Sequence, residues 1–299
     1  MTLQRTSRRP NSDAETAEER SSVDHSGPAT HPGTRKPSVD VLGTRVDATT
    51  LSDAADLVAR WALNGESRSV AVATVNNVME GYDHPDYRSA MRRSDLVTPD
   101  GMPLVWALRW LSAPVAERVA GADLTPVILR KAVTSGIPVA FYGGAPEVLE
   151  RLTSRAEAAF PGLRVAFAWS PPFRSLSEEE EARVVDDIRA SGARIVFVGL
   201  GCPKQELWMD RMRGRLPAVM VGVGAAFDFL VGNKRRAPRI LQRAGLEWAF
   251  RLASEPRRLW RRYVFQNPRF IALFAEQLAR QRARTPTRTT VRPRSEEDA

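Results

Sequence analysis

Short apolar runs alternate with longer amphipathic stretches through most of the chain. The longer stretches repeat apolar residues at the spacing of one helical face, over residues 51–63, 123–136, 145–160 and 177–192. The runs are continuous, as in strands covered on both faces, and occupy residues 69–75, 95–99, 137–143, 163–169, 193–201 and 217–224. This order predicts an α/β fold of the Rossmann-like type, with a mainly parallel sheet and helices on both faces.

The alternation begins near residue 39 and stops near residue 234. The residues before it are polar and rich in Ser, Thr and Pro, a composition that cannot offset the entropy of ordering. Beyond it only helical patterns follow, at about 239–254, 255–266 and 268–284. We therefore predict a disordered leader (1–38), an α/β catalytic domain (39–233), a basic helical appendage (234–285) and a disordered tail (286–299).

Composition excludes several classes of protein. Hydrophobic residues make up 43% of the chain, yet no apolar run approaches the ~18 residues of a membrane span. No apolar segment follows the N-terminal arginines, as a secretory signal would require. The single cysteine, Cys202, rules out an intrachain disulfide, and three histidines leave little for a structural zinc site. These features suit a cytoplasmic protein.

Positive charge is concentrated near the C-terminus. The net charge is +9, and the segment from Lys234 to Arg294 alone has 17 Lys or Arg against three Glu. Such a segment fits nucleic acid, anionic lipid, or simply a solvated charged face. No recognised nucleic-acid-binding motif is present. Aromatic residues between the arginines favour a membrane surface, and they are Trp248, Phe250, Trp260, Tyr263 and Phe265.

Polar side chains follow two of the predicted strands. Thr74, Asn76 and Asn77 come after the first, and Asp100 comes after the second, in TPDGMPLVWAL. Ligands of parallel sheets bind beyond the C-terminal ends of the strands. The same residue types also cap helices, so a binding role and a capping role both stay open here. Asp123, in GADLTP, is interpreted as the cap of the helix that follows.

Two further strands end in glycines, which let backbone N–H groups approach an anion. They are Gly143 and Gly144 in one strand end, and Gly199 and Gly201 in the other, followed by Lys204, Gln205 and Glu206. The glycine spacing is not that of a dinucleotide fingerprint, and there is neither a P-loop nor a nucleophile elbow. The Asp-x-Asp pair of many metal-dependent sugar transferases is also absent. The four strand ends together indicate a nucleotide or sugar-phosphate site.

An ordered set of motifs carries a family resemblance. The chain contains, in this order, TVNN, TPDGMPLVWA, RVAGADL, FYGG, VGLGCPKQELWM, VGVGAAFDFLVGNKRRAP and GLEWAFRLASEPRRLWRR. Together they resemble the WecG/TagA/CpsF family, glycosyltransferase family 26, over roughly residues 40 to 270. Each motif is weak alone, whereas the ordered set is specific.

The resemblance implies an activity. Members transfer a sugar from a UDP-sugar to a polyprenyl-diphosphate-linked saccharide during synthesis of bacterial cell-envelope polysaccharide. The sugar is of the N-acetylmannosamine type or a related hexose or uronic acid. The reaction is inverting and needs neither a metal nor another cofactor. The resemblance then implies an enzyme that is cytoplasmic and peripheral on the inner face of the cell membrane. Whether it forms homo-oligomers stays open.

The resemblance also implies roles for residues. Asp100 matches the proposed catalytic base. The substrate-binding positions are Thr74, Asn76, Arg118 and Gln205, and the diphosphate or membrane contacts are Arg251, Arg258 and Arg261. The alternatives are another nucleotide-binding α/β enzyme, such as a dehydrogenase, and a nucleic-acid-binding module. The first lacks its fingerprint and the second lacks a motif.

Overall fold

A computed structural model describes residues 37–111, 113, 116–233 and 236–284. Its main sheet has six strands in the order β4-β3-β8-β7-β5-β6, and every neighbouring pair is parallel. The strands are β3 (Arg68–Ala73), β4 (Leu96–Pro99), β5 (Val139–Gly143), β6 (Val165–Trp169), β7 (Ile195–Gly199) and β8 (Val219–Gly222). A separate antiparallel hairpin precedes them, formed by β1 (Ser38–Val41) and β2 (Thr44–Asp47). The α/β prediction is confirmed.

Helices connect the strands and cover the sheet. Those of the α/β region are α1 (Leu51–Leu63), α2 (Val75–Asp83), α3 (Pro85–Arg93), α4 (Met102–Trp110), α5 (Gly121–Thr134), α6 (Pro146–Ala159), α7 (Glu178–Ser191), α8 (Lys204–Met212) and α9 (Ala226–Leu230). Those of the C-terminal region are α10 (Arg239–Arg243), α11 (Glu247–Ser254), α12 (Pro256–Arg261), a π-helical turn (Arg262–Gln266) and α13 (Asn267–Arg284).

Neighbouring residues of each central strand pack on opposite faces of the sheet. Phe141 and Phe197 belong to a buried core with α1, α5, α6 and α9. Tyr142 and Val198 belong to a second core, with α7 and α8. Since side chains alternate along a strand, a strand covered on both faces must be apolar throughout. This explains why the runs in the sequence are continuous.

The predicted strands are longer than the observed ones. The run that begins at Ile137 illustrates the reason: the Ile137 N–H donates to Ala132 O at 2.8 Å and thereby completes the end of α5. Strand pairing starts only at Val139. Ile137 is buried in the core all the same, so hydrophobicity alone does not separate it from the strand.

The predicted helix at 239–254 is wrong, because two helices occupy its place. Gly245 lies between α10 and α11 with φ +73°, a left-handed conformation that glycine adopts readily and that ends a helix. A Cβ on Gly245 would come within 2.6 Å of Trp106 Cη2. The break thus lets the chain pass closely over α4.

The last helix packs on the α/β region. Phe270 and Phe274 of α13 are buried in a core with residues of α2, α3 and α4. Gln277 donates to Asp40 O at 2.6 Å and accepts from Leu42 N at 2.9 Å, which binds α13 to the hairpin. Within the described part of the chain, every helix is too short or too polar to cross a membrane. Apart from Pro37 and Ser38, the predicted leader and tail lie outside the described residues.

Candidate active site

Three of the four strand ends that the sequence singled out, those of β3, β4 and β7, lie around one cleft, whereas the two glycines at the end of β5 do not line it. β4, β3, β8 and β7 are consecutive neighbours, and the segments after them line a single cleft. We call this the main cleft. A narrower side recess adjoins it, with Met102, Pro103, Trp248, Tyr263 and Asn267 in its wall. Five residues line both, and they are Thr74, Asp100, Arg118, Glu247 and Arg251.

Asp100 lies where the main cleft and the side recess meet. Its backbone N–H donates to Ala73 O at 2.7 Å, which continues the pairing of β4 with β3. Gly101, with φ +108°, occupies the capping position of α4. Asp100 is therefore not the cap of that helix, and its side chain is directed to the site, with 25% of its surface exposed.

The surroundings of Asp100 make its carboxyl group unusually basic. Burial raises the pKa of Asp100 to about 6, because a charged carboxylate is poorly solvated there. The positive charges of Arg118 and Arg251 oppose this rise, whereas the carboxylates of Glu247 and Asp123 add to it. A base with this pKa is ionised at neutral pH and still accepts a proton readily.

Arg118 lies in the cleft, with only 13% of its side chain exposed. Its Nη2 donates to Asp123 Oδ2 at 2.7 Å and to Gln242 Oε1 at 2.8 Å. Its Nη1 donates to Glu247 Oε2 at 3.2 Å and lies 3.6 Å from Asp100 Oδ1. The prediction that Asp123 caps a helix is wrong: it lies in the first turn of α5 and pairs with Arg118.

The TVNN segment combines a cap with a contact to the site. Thr74 is the N-cap residue of α2, and its Oγ1 donates to Asn77 Oδ1 at 2.7 Å. Asn76 lines the side recess and donates to Cys202 Sγ at 3.3 Å. Thr74 therefore fits both interpretations left open by the sequence, because it caps α2 and lines both spaces of the site, whereas Asn76 lines the side recess.

Gln205 joins the segments that follow β7 and β8. It is buried, and its Oε1 accepts from Gly201 N at 3.2 Å and from Gly224 N at 3.0 Å. Its Nε2 donates to Glu206 Oε1 at 2.8 Å, and the same carboxylate oxygen accepts from Asn77 Nδ2 at 3.0 Å. Burial raises the pKa of Glu206. Gln205 lines the main cleft, but its amide group is engaged in shaping the cleft wall.

Two of the four predicted glycines serve close packing, and a third, Gly144, has a left-handed backbone conformation with φ +79°. A Cβ on Gly143 would lie 2.7 Å from the carbonyl carbon of Gly199, and one on Gly199 would lie 2.4 Å from Phe227 Cε2. Gly144 donates its N–H to Gly199 O at 3.2 Å. These three are not among the described residues that line the main cleft, whereas Gly201 is.

The C-terminal arginines occupy different places. Arg251 lines both the main cleft and the side recess, with its guanidinium carbon 5.1 Å from the centre of the Phe229 ring. Arg261 is exposed and lies over the Trp260 ring at 5.5 Å. The side chain of Arg258 lies outside the described part of the structure. The sequence did not single out Arg236, which lines the main cleft and pairs with Asp123 at 2.5 Å.

Several C-terminal residues of the site were also missed. Gln242 and Glu247 contact Arg118, and Tyr263 and Asn267 line the side recess. Glu247 stands in GLEW, at the start of the C-terminal family motif, but the prediction selected only arginines of that motif. In the described part of the chain, no three His, Cys, Asp or Glu residues are grouped so as to hold a metal ion.

Comparison with known proteins identifies a family and a named relative. The sequence model described as "Glycosyl transferase WecG/TagA/CpsF family" matches residues 39–284. A protein of Bacillus spizizenii named N-acetylglucosaminyldiphosphoundecaprenol N-acetyl-beta-D-mannosaminyltransferase is 34% identical over 209 residues, which cover 69% of this chain and 79% of that protein. The match to the family extends from the hairpin through α13, and so includes every described residue of the site.

Proposed function

The chain belongs to the WecG/TagA/CpsF family of glycosyltransferases, and on that premise we propose which groups it transfers. The donor is a UDP-sugar of the N-acetylmannosamine type, or a related hexose or uronic acid. The acceptor is a polyprenyl-diphosphate-linked saccharide, the type of acceptor in the name of the Bacillus relative, and the product serves cell-envelope synthesis. The observation that carries the proposal is Asp100, a basic carboxylate at the junction of two binding spaces.

Asp100 is the general base of an inverting transfer. In one displacement, the acceptor hydroxyl attacks the anomeric carbon from the face opposite to the UDP leaving group. Asp100 removes the hydroxyl proton as the new bond forms. A base at the junction suits this geometry, because donor and acceptor must approach it from different sides. We place the donor in the main cleft and the acceptor in the side recess, where Trp248 and Tyr263 offer aromatic faces to a sugar.

Positive charge stabilises the departing diphosphate. As the bond to the sugar breaks, negative charge grows on UDP, and fixed donors lower the energy of that state. Arg118, Arg251 and Arg236 line the main cleft. The N-terminus of the 14-residue helix α5 also lines it, through Gly121 and Ala122, and helix N-termini favour anions. Gly121 lets this helix start close to β8, because a Cβ there would lie 2.9 Å from Val223 O.

Transfer is tested with labelled UDP-N-acetylmannosamine and a polyprenyl-diphosphate-linked N-acetylglucosamine. Because arginines and a helix N-terminus are assigned the role that a metal has elsewhere, we expect the rate in excess EDTA to stay within about twofold of that in Mg²⁺. A rate that vanishes in EDTA and returns with Mg²⁺ would contradict the metal-independent mechanism. Absence of transfer across a panel of UDP-sugars would contradict the proposed activity.

The C-terminal helices bring the enzyme to its lipid-linked acceptor. They carry large exposed apolar side chains, namely Ile240, Leu246, Trp248, Trp260, Val264, Phe265 and Ile271. Arg257 and Arg261 are exposed among them. Aromatic and basic residues on one helical segment are typical of peripheral binding to an anionic bilayer. We therefore place the enzyme on the cytoplasmic face of the membrane.

Charge reversal at Arg257→Glu with Arg261→Glu tests this docking. Each basic residue near an anionic surface contributes about 1 kcal/mol, so we expect the double variant to bind vesicles containing phosphatidylglycerol at least about tenfold more weakly in a pelleting assay. Arg164→Glu with Arg183→Glu, exposed in the catalytic domain, is the matched control. Equal binding by both variants would overturn the assignment, as would binding to DNA but not to vesicles.

A further inference from the structure

Arg118 is held from two sides of the site. Asp100 and Asp123 approach it from the α/β domain, and Gln242 and Glu247 approach it from the C-terminal segment. Glu247 is 129 positions away in sequence, at the first residue of α11. The C-terminal segment therefore supplies partners to a guanidinium that also faces the proposed base.

We propose that Glu247 is a positioning residue of the transfer site: it draws the Arg118 guanidinium away from Asp100, and so keeps Asp100 a competent base. The inference rests on the proposed function for its catalytic meaning. The contact itself is independent of which sugar is transferred. The contact also makes the basicity of Asp100 depend on the docking of α11, since Glu247 belongs to that helix.

The distances support a competition for one nitrogen. Arg118 Nη1 lies 3.2 Å from Glu247 Oε2 but 3.6 Å from Asp100 Oδ1. Charge-assisted hydrogen bonds between guanidinium and carboxylate are usually about 2.7–2.9 Å long. Both contacts of Nη1 are longer than this, but only the one with Glu247 is within hydrogen-bond distance, so the Asp100 carboxylate stays available to accept from the acceptor hydroxyl. Without the charge of Glu247, Asp100 would become the preferred partner of Nη1.

The charges around Asp100 point in the same direction. Arg118 from the segment before α5 and Arg251 from α11 lower the pKa of Asp100, and Asp123 from α5 and Glu247 from α11 raise it. Neutralising Glu247 removes one of the two carboxylates and frees Arg118 to move toward Asp100. Both changes lower the pKa of Asp100 and weaken it as a base.

Glu247 also has a simpler role, which makes a different prediction. It lies in the first turn of α11, where a carboxylate stabilises a helix through the helix dipole. If this were its whole function, replacing it would affect the stability of α11 but leave the protonation of Asp100 unchanged. The titration of Asp100 therefore separates the two roles.

The test compares Glu247→Gln with Glu276→Gln in the full chain. Glu276 is exposed on α13, 52% by side chain, and pairs with Arg280, so its substitution changes the net charge equally. The primary readout is the titration of Asp100 by NMR of ¹³C-carboxyl-labelled Asp, with the signal assigned by its loss in Asp100→Asn. We expect Glu247→Gln to lower the midpoint by about half a pH unit or more, and Glu276→Gln to leave it unchanged.

The kinetic readout is the pH profile of kcat/KM. We expect Glu247→Gln to move the acid limb of this profile to lower pH and to reduce kcat at neutral pH about tenfold or more. Glu247→Asp restores the charge, so we expect it to recover part of the pH shift and part of the rate. An unmoved NMR midpoint in Glu247→Gln would overturn the inference, even if activity fell. The NMR titration needs no turnover. If the wild-type protein transfers no sugar, the proposed function is contradicted, but the titration still tests whether Glu247 controls the protonation of Asp100.

Discussion

Asp100→Asn is expected to lower kcat for sugar transfer by about 10²–10⁴-fold, the range typical of a lost general base. Asn keeps the size and one carbonyl oxygen of Asp but does not accept a proton at neutral pH. The rate is measured with the labelled donor at saturating acceptor, and binding of UDP is measured by calorimetry. Asp56→Asn, an exposed α1 carboxylate paired with Lys131, is the control. Near-normal turnover in Asp100→Asn would exclude the base role.

The pH dependence of the wild-type rate follows from the same residue. The base works in its ionised form, so kcat/KM should rise with pH through a midpoint near 6, the pKa of Asp100. At pH 7.5 the enzyme is then close to its maximum. The acid limb should disappear from the residual activity of Asp100→Asn. An acid limb that is unchanged in this variant would assign the titration to another group.

Asp100→Asn also has an expected effect on stability, of opposite sign to its effect on rate. The pKa of Asp100 is raised by folding from 3.8 to about 6, so the folded state binds this proton more tightly than the unfolded state. Stability is therefore lost as pH rises from about 4 through 6, by at most about 3 kcal/mol. The neutral variant avoids that loss. Urea unfolding at pH 3.5 and 7.5 should show an advantage of Asp100→Asn that appears only at the higher pH.

Arg118→Gln is expected to be nearly as damaging to the rate and to lower stability as well. Removing an electrostatic donor to a developing negative charge typically costs about 10²–10³-fold in kcat. Three carboxylates surround Arg118, those of Asp100, Asp123 and Glu247. Deleting one member of this partly buried ion cluster leaves uncompensated charge and costs on the order of 2 kcal/mol. Both the transfer rate and the free energy of unfolding are measured.

Arg118→Lys separates the charge from the geometry. Lysine restores the positive charge, but a single ammonium cannot reproduce the forked contacts that Arg118 makes with four residues. We expect Lys to recover much of the stability and little of the rate. Arg183→Gln, on the exposed surface of α7, is the control. Full activity in Arg118→Lys would show that charge alone is needed, and full activity in Arg118→Gln would remove Arg118 from the site.

The sequence predicted the sheet well because the relevant physics is local. A strand covered on both faces has to be apolar along its whole length, and the helix over residues 51–63 is reproduced residue for residue as α1. The rule that ligands bind beyond strand ends then drew attention to Asp100 and Thr74, which the structure places on one cleft. Ile137 shows the limit, since a buried apolar residue can equally end a helix.

Contacts between distant segments could not be predicted in this way. Asp123 has the residue type and place of a helix cap, and only the folded chain brings Arg118 and Arg236 to it. Gly143 and Gly199 look like ligand-binding glycines, yet a side chain on Gly143 would meet the backbone of Gly199, and one on Gly199 would meet the Phe227 ring. Glu247 contacts Arg118 from the first residue of α11, two residues after Gly245 ends the preceding turn with a left-handed conformation. Spacing in sequence carries no information about these pairings.

α13 ties the far end of the C-terminal segment to the α/β domain. Phe270 and Phe274 anchor it in the core, and Gln277 binds the hairpin. The stretch between α9 and α13 is therefore a tethered loop and not a free arm. A loop already closed at both ends loses little further entropy when it settles on the cleft, and its residues keep a high effective concentration there. Lifting α11 and its Glu247 from the site is then a local opening that is quickly reversed.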